Sequence, residues 1–527
     1  MDQTWVQSRP HLQNLAAKMQ AVLEMADALY ARGQRDGDAV DYGAFEEEVS
    51  RATAELECAV HETALSGLNI DAPFVRVWGK TYRRVHSSER NFGTMAGTAR
   101  VHRTLYREVG RRNAPVLDPV AIRVGAVDGR WLPRTARAIG HLIAQGTSRE
   151  AAVTSRELCR LPYSRSTFER VGHAVGRQYL RRREPVENTL IERLRVPDEA
   201  RSISVSVDRT AVPMEEPVPA RPRPVRAKLP PGVASERHAG SGLDARTRAT
   251  LREQERQARA SPPKVARNYR MAYCATVTLH DREGKALHTI RYGRMPPTPG
   301  SVESFTHRQV KRLMEGLQRD VAALRAQRPD LPVVLLADGA PELWNLFEEY
   351  LNERTLGIAP RSLIDAWHAL EYVGAACRLL EKHEWAWPGS FRRMKRWLLE
   401  EEHGVERVLR ALERGGLERV QDENGRRPVG DAIRYLSARK DLMRYAQADQ
   451  HGFPIGSGAV EATCKSLVSQ RMKRSGCRWK PRTGDEVLQL RALQLSDRWE
   501  PAMDAVLRPL RKPVHRLNRA EGRAAAA

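Results

Sequence analysis

The sequence lacks the features of several common classes of protein. Its 527 residues include only six cysteines, which are scattered without a C-x-x-C pair. This spacing disfavours a zinc ribbon or a disulfide framework and suits a reducing cytoplasm. No segment approaches the ~20 apolar residues of a membrane span, and the first residues lack the apolar stretch of a signal peptide. The sequence therefore predicts a soluble, cytoplasmic protein with no membrane partner.

Acidic residues are few relative to basic ones. Lysine and arginine total 88 against 65 aspartates and glutamates, a net charge of +23. Such an excess favours a polyanionic partner, most often nucleic acid, with binding that weakens as salt rises. The alternative is a basic protein from a GC-rich genome, in which arginine is abundant anyway. The 41% apolar content is enough for buried cores, and the length predicts about two to four domains.

The N-terminal part of the chain divides into two predicted regions. Residues 1–130 combine helical spacing of apolar residues with short β-like pieces, a mixed region without a legible function. Residues 131–185 predict a helix, a second helix that Ser148 caps, a short turn and a third helix. This order matches a helix-turn-helix. The third helix carries candidate DNA contacts, although arginines on a helix also form solvated faces: Arg165, Arg170, His173 and Arg177.

Residues 200–365 alternate between strand and helix patterns. The run SISVSVD predicts a strand that ends at Asp208, on its polar face, and DREGK predicts the turn of a hairpin. A long amphipathic helix and a buried parallel strand ending at Asp338 follow, then a helix and the short run RSLID. This is the order of a ribonuclease-H-like α/β sheet, in which strand ends converge on one edge. We therefore expect Asp208 and Asp338 to be neighbours, with Arg209 directed to the opposite face.

Three further segments complete the predicted organisation. Residues 211–268 are rich in proline and charge, which predicts an exposed, partly disordered arm. Residues 366–451 predict an all-helical insertion, after which 452–500 return to the core. The basic, low-complexity residues 501–527 predict a tail.

A third acidic residue, Glu461, lies in GFPIGSGAVEATCK, where Ser457 is a candidate N-cap of the following helix. Three carboxylates brought together by a fold can hold two hard divalent cations, and paired cations suit phosphodiester chemistry. A dense basic run follows, which predicts phosphate contact unless it is a solvated helix end. Its candidate DNA-binding members are Lys465, Arg471, Lys473, Arg474, Arg478, Trp479 and Lys480.

Four segments together resemble a known family. SVDRTAVPMEEP, LLADGAPELWN, IDAWHALEYV and PIGSGAVEATCKSLVSQRMKRSGCRWK are similar to DDE-type insertion-sequence transposases of the ISKra type, relatives of the Mutator-like transposases. The resemblance covers roughly residues 90–500. It implies an α/β ribonuclease-H-like catalytic core interrupted by an all-α insertion and preceded by α+β and helical regions. It also implies Asp208, Asp338 and Glu461 as the catalytic triad, holding two Mg²⁺ or Mn²⁺ ions.

The segment DAWH matches a (C/D)-x-x-H signature of that superfamily. Asp365 and His368 are therefore expected near the active site, without direct ligation of a metal. Glu371, three residues further on, extends the pattern to a possible metal-binding face, but we interpret it as part of a polar stripe that caps a structural helix.

The resemblance implies a transposase that binds terminal inverted repeats and target DNA, hydrolyses phosphodiesters and transfers strands. It would act in the nucleoid as a dimer or larger homo-oligomer, because two ends must be joined. Two alternatives stay open. One is a ribonuclease-H-like metal nuclease that cuts without joining, and the other is a non-catalytic helix-turn-helix DNA-binding protein.

Overall fold

The computed structural model describes residues 3–34, 39–217, 265–296, 304–385 and 389–525. Within these ranges no helix is long and apolar enough to cross a membrane. The α-helices span Gln3–Gln7, Gln13–Gly33, Tyr42–Ser66, Pro119–Val124, Pro133–Gln145, Ser148–Glu157, Arg165–Arg181, Arg183–Arg193, Ser304–Gln327, Pro341–Tyr350, Glu353–Leu356, Ala366–Lys382, Ser390–Glu400, Gly404–Arg414, Pro428–Ser437, Tyr445–Gln450, Gly458–Thr463, Gln470–Met472, Pro481–Leu495, Trp499–Leu507 and Arg519–Ala524. A π-helical segment, Cys464–Ser469, continues the helix that contains Glu461.

The strands are β1 (Phe74–Val77), β2 (Lys80–Gly93), β3 (Thr98–Glu108), β4 (Ser202–Pro217), β5 (Val265–His280), β6 (Ala286–Arg294), β7 (Val333–Ala337), β8 (Arg361–Ile364) and β9 (His515–Leu517). They form two sheets, with the orders β3-β2-β1-β9 and β6-β5-β4-β7-β8. In the second sheet β6, β5 and β4 are antiparallel, whereas β4, β7 and β8 run parallel. Along the chain its elements follow the order strand, hairpin, helix, strand, helix, strand.

Strand β4 is longer than the alternation predicted. It pairs with β5 without a break from Ser202 opposite His280 to Pro217 opposite Val265, so Asp208 lies in mid-strand and the predicted end there is wrong. Val212, Pro213 and Met214, in the part of the strand beyond Asp208, are all buried. The two ends of the predicted arm are therefore strands. Residues 218–264 of that arm lie outside the described residues.

The chain's C-terminal part returns to the N-terminal sheet. β9 pairs antiparallel with β1 and buries Leu517. The next helix packs Gly522 so closely on Phe74 that an added Cβ would lie 2.2 Å from the ring. The predicted low-complexity tail over residues 501–527 is therefore wrong. Its first part belongs to the helix Trp499–Leu507, which buries Met503, Val506 and Leu507, and pairing with β1 orders the later residues His515–Leu517.

Each face of the second sheet is covered. The predicted apolar stripe of the helix Ser304–Gln327 is buried, from Leu313 to Leu324, against Ile203, Val205 and Val207 of β4. The opposite face of β4 carries Ser204, Ser206 and Asp208, and beyond them Val212 and Met214 pack against the Glu461 helix. Residues 366–450 form a separate helical core around Val373, Val408 and Leu436.

Candidate active site

The strand register brings three aspartates to adjacent positions. Ser206 of β4 pairs with Leu336 of β7, so Asp208 and Asp338, each two residues further, continue the same register. Ala337 pairs with Ile364 of β8, which in turn sets Asp338 beside Asp365. Residues two apart on a strand share a face. Asp208, Asp338 and Asp365 therefore follow one line across the sheet.

Both carboxylate oxygens of Asp208 accept hydrogen bonds. Its Oδ1 accepts from the backbone N–H of Arg209 at 2.6 Å, and its Oδ2 accepts from the Cys464 thiol at 3.4 Å. Contact with Cys274, burial and the Asp208 charge all raise the pKa of Cys464 above its ordinary value, so the thiol keeps its proton and donates. Arg209 points to Glu342, with which it forms an ion pair. Asp208 thus faces the Glu461 helix, and in the described part of the chain it forms no ion pair.

Asp338 begins a loop that the helical insertion holds. Its Oδ1 accepts from the backbone N–H of Ala340 at 2.9 Å. From the insertion, Arg439 donates through Nε (3.0 Å) and Nη2 to the carbonyl oxygen of Gly339. A Cβ on Gly339 would lie 2.5 Å from the Tyr435 ring. This close approach requires glycine directly after Asp338 and fixes the position of the carboxylate.

Asp365 links β8 to the segment that carries Glu461. It is 1% exposed, caps the helix Ala366–Lys382 by accepting from His368 N at 2.8 Å, and also accepts from Ser457 N. The hydroxyl of Ser457 donates to Glu461 Oε1 at 3.3 Å. The prediction that this hydroxyl caps its own helix is therefore wrong, since it makes no capping hydrogen bond. Asp365 and Ser457 instead fix the position of Glu461.

Negative charge collects around Glu461. Burial, and then the carboxylate of Asp365, raise its pKa, which the Ser457 hydrogen bond partly offsets; Asp208 and Glu371 raise it further. Among the described residues, these charged groups that raise the pKa of Glu461 are all carboxylates. Such mutual repulsion is the electrostatic condition that a bound cation relieves.

The carboxylates suit a divalent cation in chemistry but are not assembled as a ligand set. In the described ranges no group of three His, Cys, Asp or Glu side chains is close enough to hold a metal ion. Carboxylate oxygens are nevertheless the ligands that Mg²⁺ and Mn²⁺ prefer. Asp208 and Asp338 are partly exposed and Glu461 is exposed, so an ion can reach them.

An aromatic group beside the acids was not predicted. The rings of Tyr372 and Tyr435 stack at 4.1 Å, and His368 meets both edge-on. Among the described residues, the buried hydroxyls of Tyr435 and Tyr445 have no hydrogen-bond partner. Burial raises the pKa of both tyrosines, and Asp365 raises it further, so both hydroxyls stay protonated near this carboxylate. Nothing in the sequence relates Tyr435 to Asp338 or Asp365, which lie far from it along the chain.

The predicted basic run is largely engaged in structure. Arg471 is 4% exposed and donates to the Ile143 carbonyl oxygen at 3.1 and 2.9 Å, so the prediction that it contacts DNA is wrong. Burial lowers its pKa to about 10. Lys473 donates to Thr210 at 2.8 Å, Arg474 pairs with Glu150, and Lys480 lies 3.7 Å from Glu215. Of the run, the exposed residues are Lys465, Arg478 and Lys480.

Trp479 has a structural role. Its backbone carbonyl oxygen accepts from Glu215 N, and its backbone N–H donates to the Pro213 carbonyl oxygen. Trp479 therefore pairs like a strand residue with the part of β4 beyond Asp208. Its indole donates to the Met472 carbonyl oxygen at 2.9 Å. These contacts fold the basic loop back onto the sheet. The sequence shows no strand-like alternation around Trp479, because this single residue makes the pairing.

The helices between residues 131 and 185 are core elements. Ile139 and Phe168 are fully buried together with Leu488 of the helix Pro481–Leu495. Thr147, not Ser148, caps the second helix, in a capping box with Glu150. The exposed residues of the third helix lie in its first two turns and at its last residue, Arg181.

The candidate DNA contacts of that third helix differ in availability. His173 lies 2.9 Å from Glu486, and Arg177 lies 3.8 Å from Glu486 and 3.9 Å from Asp128. Arg165 and Arg170 are exposed. Only the latter two present charge to a partner without first breaking an ion pair.

Comparisons with protein-family models, with curated proteins and with solved structures find no match to this chain. Its function is therefore inferred from its own residues.

Proposed function

We propose that this protein is a DNA transposase of the DDE type, which cuts and joins DNA at the terminal inverted repeats of an insertion sequence. One observation carries the proposal. Asp208 and Asp338 continue the register of two neighbouring parallel strands, and Glu461 feels the charge of Asp208 from the helix above them. The sheet order β6-β5-β4-β7-β8 supports it, being the order of a ribonuclease-H-like core interrupted by the helical residues 366–451.

Each acidic residue has a distinct role in this proposal. Asp208, Asp338 and Glu461 would hold Mg²⁺ or Mn²⁺ ions, which when bound activate water and stabilise the leaving oxygen in phosphodiester chemistry. The carboxylates must close around the ions, because they are not yet at ligand distance. Asp365 and Ser457 position Glu461, and Arg439 positions the loop of Asp338.

The charge of the chain supports DNA as the substrate. The net charge of +23 attracts a polyanion. Lys465 is exposed one helical turn beyond Glu461, where an ammonium group can contact a phosphate next to the carboxylates. Since two DNA ends must be joined, we propose a dimer or larger homo-oligomer acting in the bacterial nucleoid.

Single substitutions of the triad test the proposal. Asp208→Asn, Asp338→Asn and Glu461→Gln should each keep binding to inverted-repeat DNA but lose Mg²⁺-dependent cleavage and joining by about a thousandfold or more. Asp504→Asn, at an exposed position on a distant helix, is the matched control and should cut and join normally. The readouts are strand cleavage and the joining of pre-cleaved ends to a target plasmid.

Three outcomes would contradict it. Normal strand transfer by any triad variant removes that residue from the site. Cleavage of cognate ends without any joined product indicates a nuclease instead. Binding without cleavage by the unsubstituted protein indicates a DNA-binding regulator.

A further inference from the structure

An exposed tryptophan lies within the DAWH segment. Trp367, between Asp365 and His368, exposes 51% of its surface, although large aromatic side chains are normally buried. On the neighbouring helix Ser390–Glu400, Phe391 is 38% exposed and its ring lies over Gly374. Two partly uncovered aromatic rings therefore flank the start of the insertion.

Trp367 touches the turn that leads to Glu461. A Cβ on Gly456 would lie 2.8 Å from the indole Cδ1 and Nε1, and 3.8 Å from Asp365 Oδ2. The indole therefore packs directly on the backbone before Ser457, whose hydroxyl holds Glu461. A molecule that covers Trp367 reaches the edge of the acidic site.

Basic side chains lie on the helix that carries Phe391. Lys395 Nζ lies 4.9 Å from the centre of the Trp367 ring, a cation–π contact. Arg392 and Arg396 project from the same helix and are exposed. We call Trp367, Phe391, Arg392, Lys395 and Arg396 the aromatic–basic surface. Its positive charge lies next to carboxylates, so it suits an anion with a flat apolar face.

We propose that the aromatic–basic surface binds a single-stranded segment of DNA that continues into the acidic site, with one base stacked on Trp367. This rests on the proposed function. Bases inside a duplex already stack on their neighbours, so the indole can be covered only by a base at an end or in a single strand. Lys395, Arg392 and Arg396 would then contact the phosphates of that strand.

The test compares two DNA ends in EDTA, without cleavage. The probes are a flush-ended duplex and the same duplex with a single-stranded 3′ extension, and binding is followed by fluorescence anisotropy at one salt concentration. The unsubstituted protein should bind the extended duplex more tightly. Trp367→Ala should weaken binding to the extended duplex by about 5- to 100-fold, the value of one base–aromatic stack. Its binding to the flush duplex should not change.

Two variants control for folding and for exposure. Trp367→Phe should keep most of the preference, since a phenyl ring still stacks. Trp78→Ala removes an equally exposed tryptophan, 59% exposed, from the turn between β1 and β2 of the other sheet, and should bind both probes normally. Thermal unfolding of each variant checks that the fold is intact.

The inference is overturned if the unsubstituted protein shows no preference, or if Trp367→Ala keeps it. Equal losses in Trp367→Ala and Trp78→Ala also overturn it. The triad variants should keep the preference for the extension, because the assay needs no catalysis. If the preference depends on Trp367 but the protein never cuts DNA, the binding role of this surface stands and the transposase proposal fails. If the protein cuts DNA normally but shows no such preference, the transposase proposal stands and the role of this surface fails.

Discussion

The acidic site and a second charged group of this protein handle charge in opposite ways. In the second group, the buried ion cluster of Glu187, Arg294, Asp320 and Arg498, Arg294 is 1% exposed and lies 3.7 Å from Glu187, while Arg498 lies 3.7 Å from Asp320. In the acidic site, the described neighbours Asp365, Asp208 and Glu371, all carboxylates, raise the pKa of Glu461 by their charge.

We infer from this difference that the buried ion cluster stabilises the fold, whereas the acidic site is built to bind a cation. In the buried ion cluster each acid lies near a guanidinium group of opposite charge, which offsets part of the cost of burying both. Like charges that a fold holds together at a partly exposed edge cost stability until a cation binds. A protein keeps such a group for what it binds.

The largest expected effect concerns the buried ion cluster. Arg294→Met should lower the free energy of unfolding by about 3–5 kcal/mol, because it leaves the buried Glu187 with one arginine partner fewer. Arg149→Met, at an exposed arginine, should change it by no more than about 0.5 kcal/mol. Urea unfolding of both variants measures the difference. A loss below about 1 kcal/mol in Arg294→Met would show that Arg294 is not needed to balance the cluster.

The next effect is a pH dependence of stability. Burial raises the pKa of Asp320 to about 7, with Arg498 acting in the opposite direction. The unfolded value is about 3.9, so the folded state binds this proton more tightly. The stability that protonation adds is complete below pH about 4 and is lost as the pH rises to about 7, by at most about 1.4 kcal/mol per pH unit.

Asp320→Asn removes this titration. Thermal unfolding followed from pH 4 to 7 should show a fall in stability for the unsubstituted protein and a flatter profile for the variant. Identical profiles would mean that Arg498 keeps Asp320 ionised throughout, and that the cluster contains no neutral acid.

The smallest expected effect concerns the acidic site without metal. Glu461→Gln removes one of several repelling carboxylates, so in EDTA it should raise the free energy of unfolding by about 0.5 kcal/mol, a value typical of exposed charges. Glu400→Gln, on an exposed glutamate of the insertion, should leave it unchanged. Destabilisation by Glu461→Gln would show that its carboxylate is already compensated.

The sequence predicted the positions of Asp208 and Asp338 because each acidic residue lies in or directly after a strand-like pattern. Alternation in SISVSVD set Asp208 on the polar face, and the apolar run before Asp338 indicated a buried strand; both features are present. Local pattern failed at the far half of β4 and at β9. There, pairing with a distant strand orders segments that contain proline or charged residues.

The sequence did not predict which residues far apart along the chain come into contact. Arg471 looks like its basic neighbours, but an open carbonyl oxygen at Ile143 binds it in the interior. Arg439 and Tyr435 close on the Asp338 loop from the insertion, and Ser457 binds Glu461 instead of capping a helix. Each depends on which surfaces meet after folding, and no spacing records that.

The central claim is that the acidic residues form one cation-binding site. Thermal unfolding with increasing Mn²⁺, in the unsubstituted protein and in Asp208→Asn, Asp338→Asn, Glu461→Gln and the Asp504→Asn control, tests it most directly. Binding to the folded state alone raises the unfolding temperature with cation concentration. We expect this rise in the unsubstituted protein and the control, and its loss in each of the other three. No rise in the unsubstituted protein, or an equal rise in all five, would contradict the account.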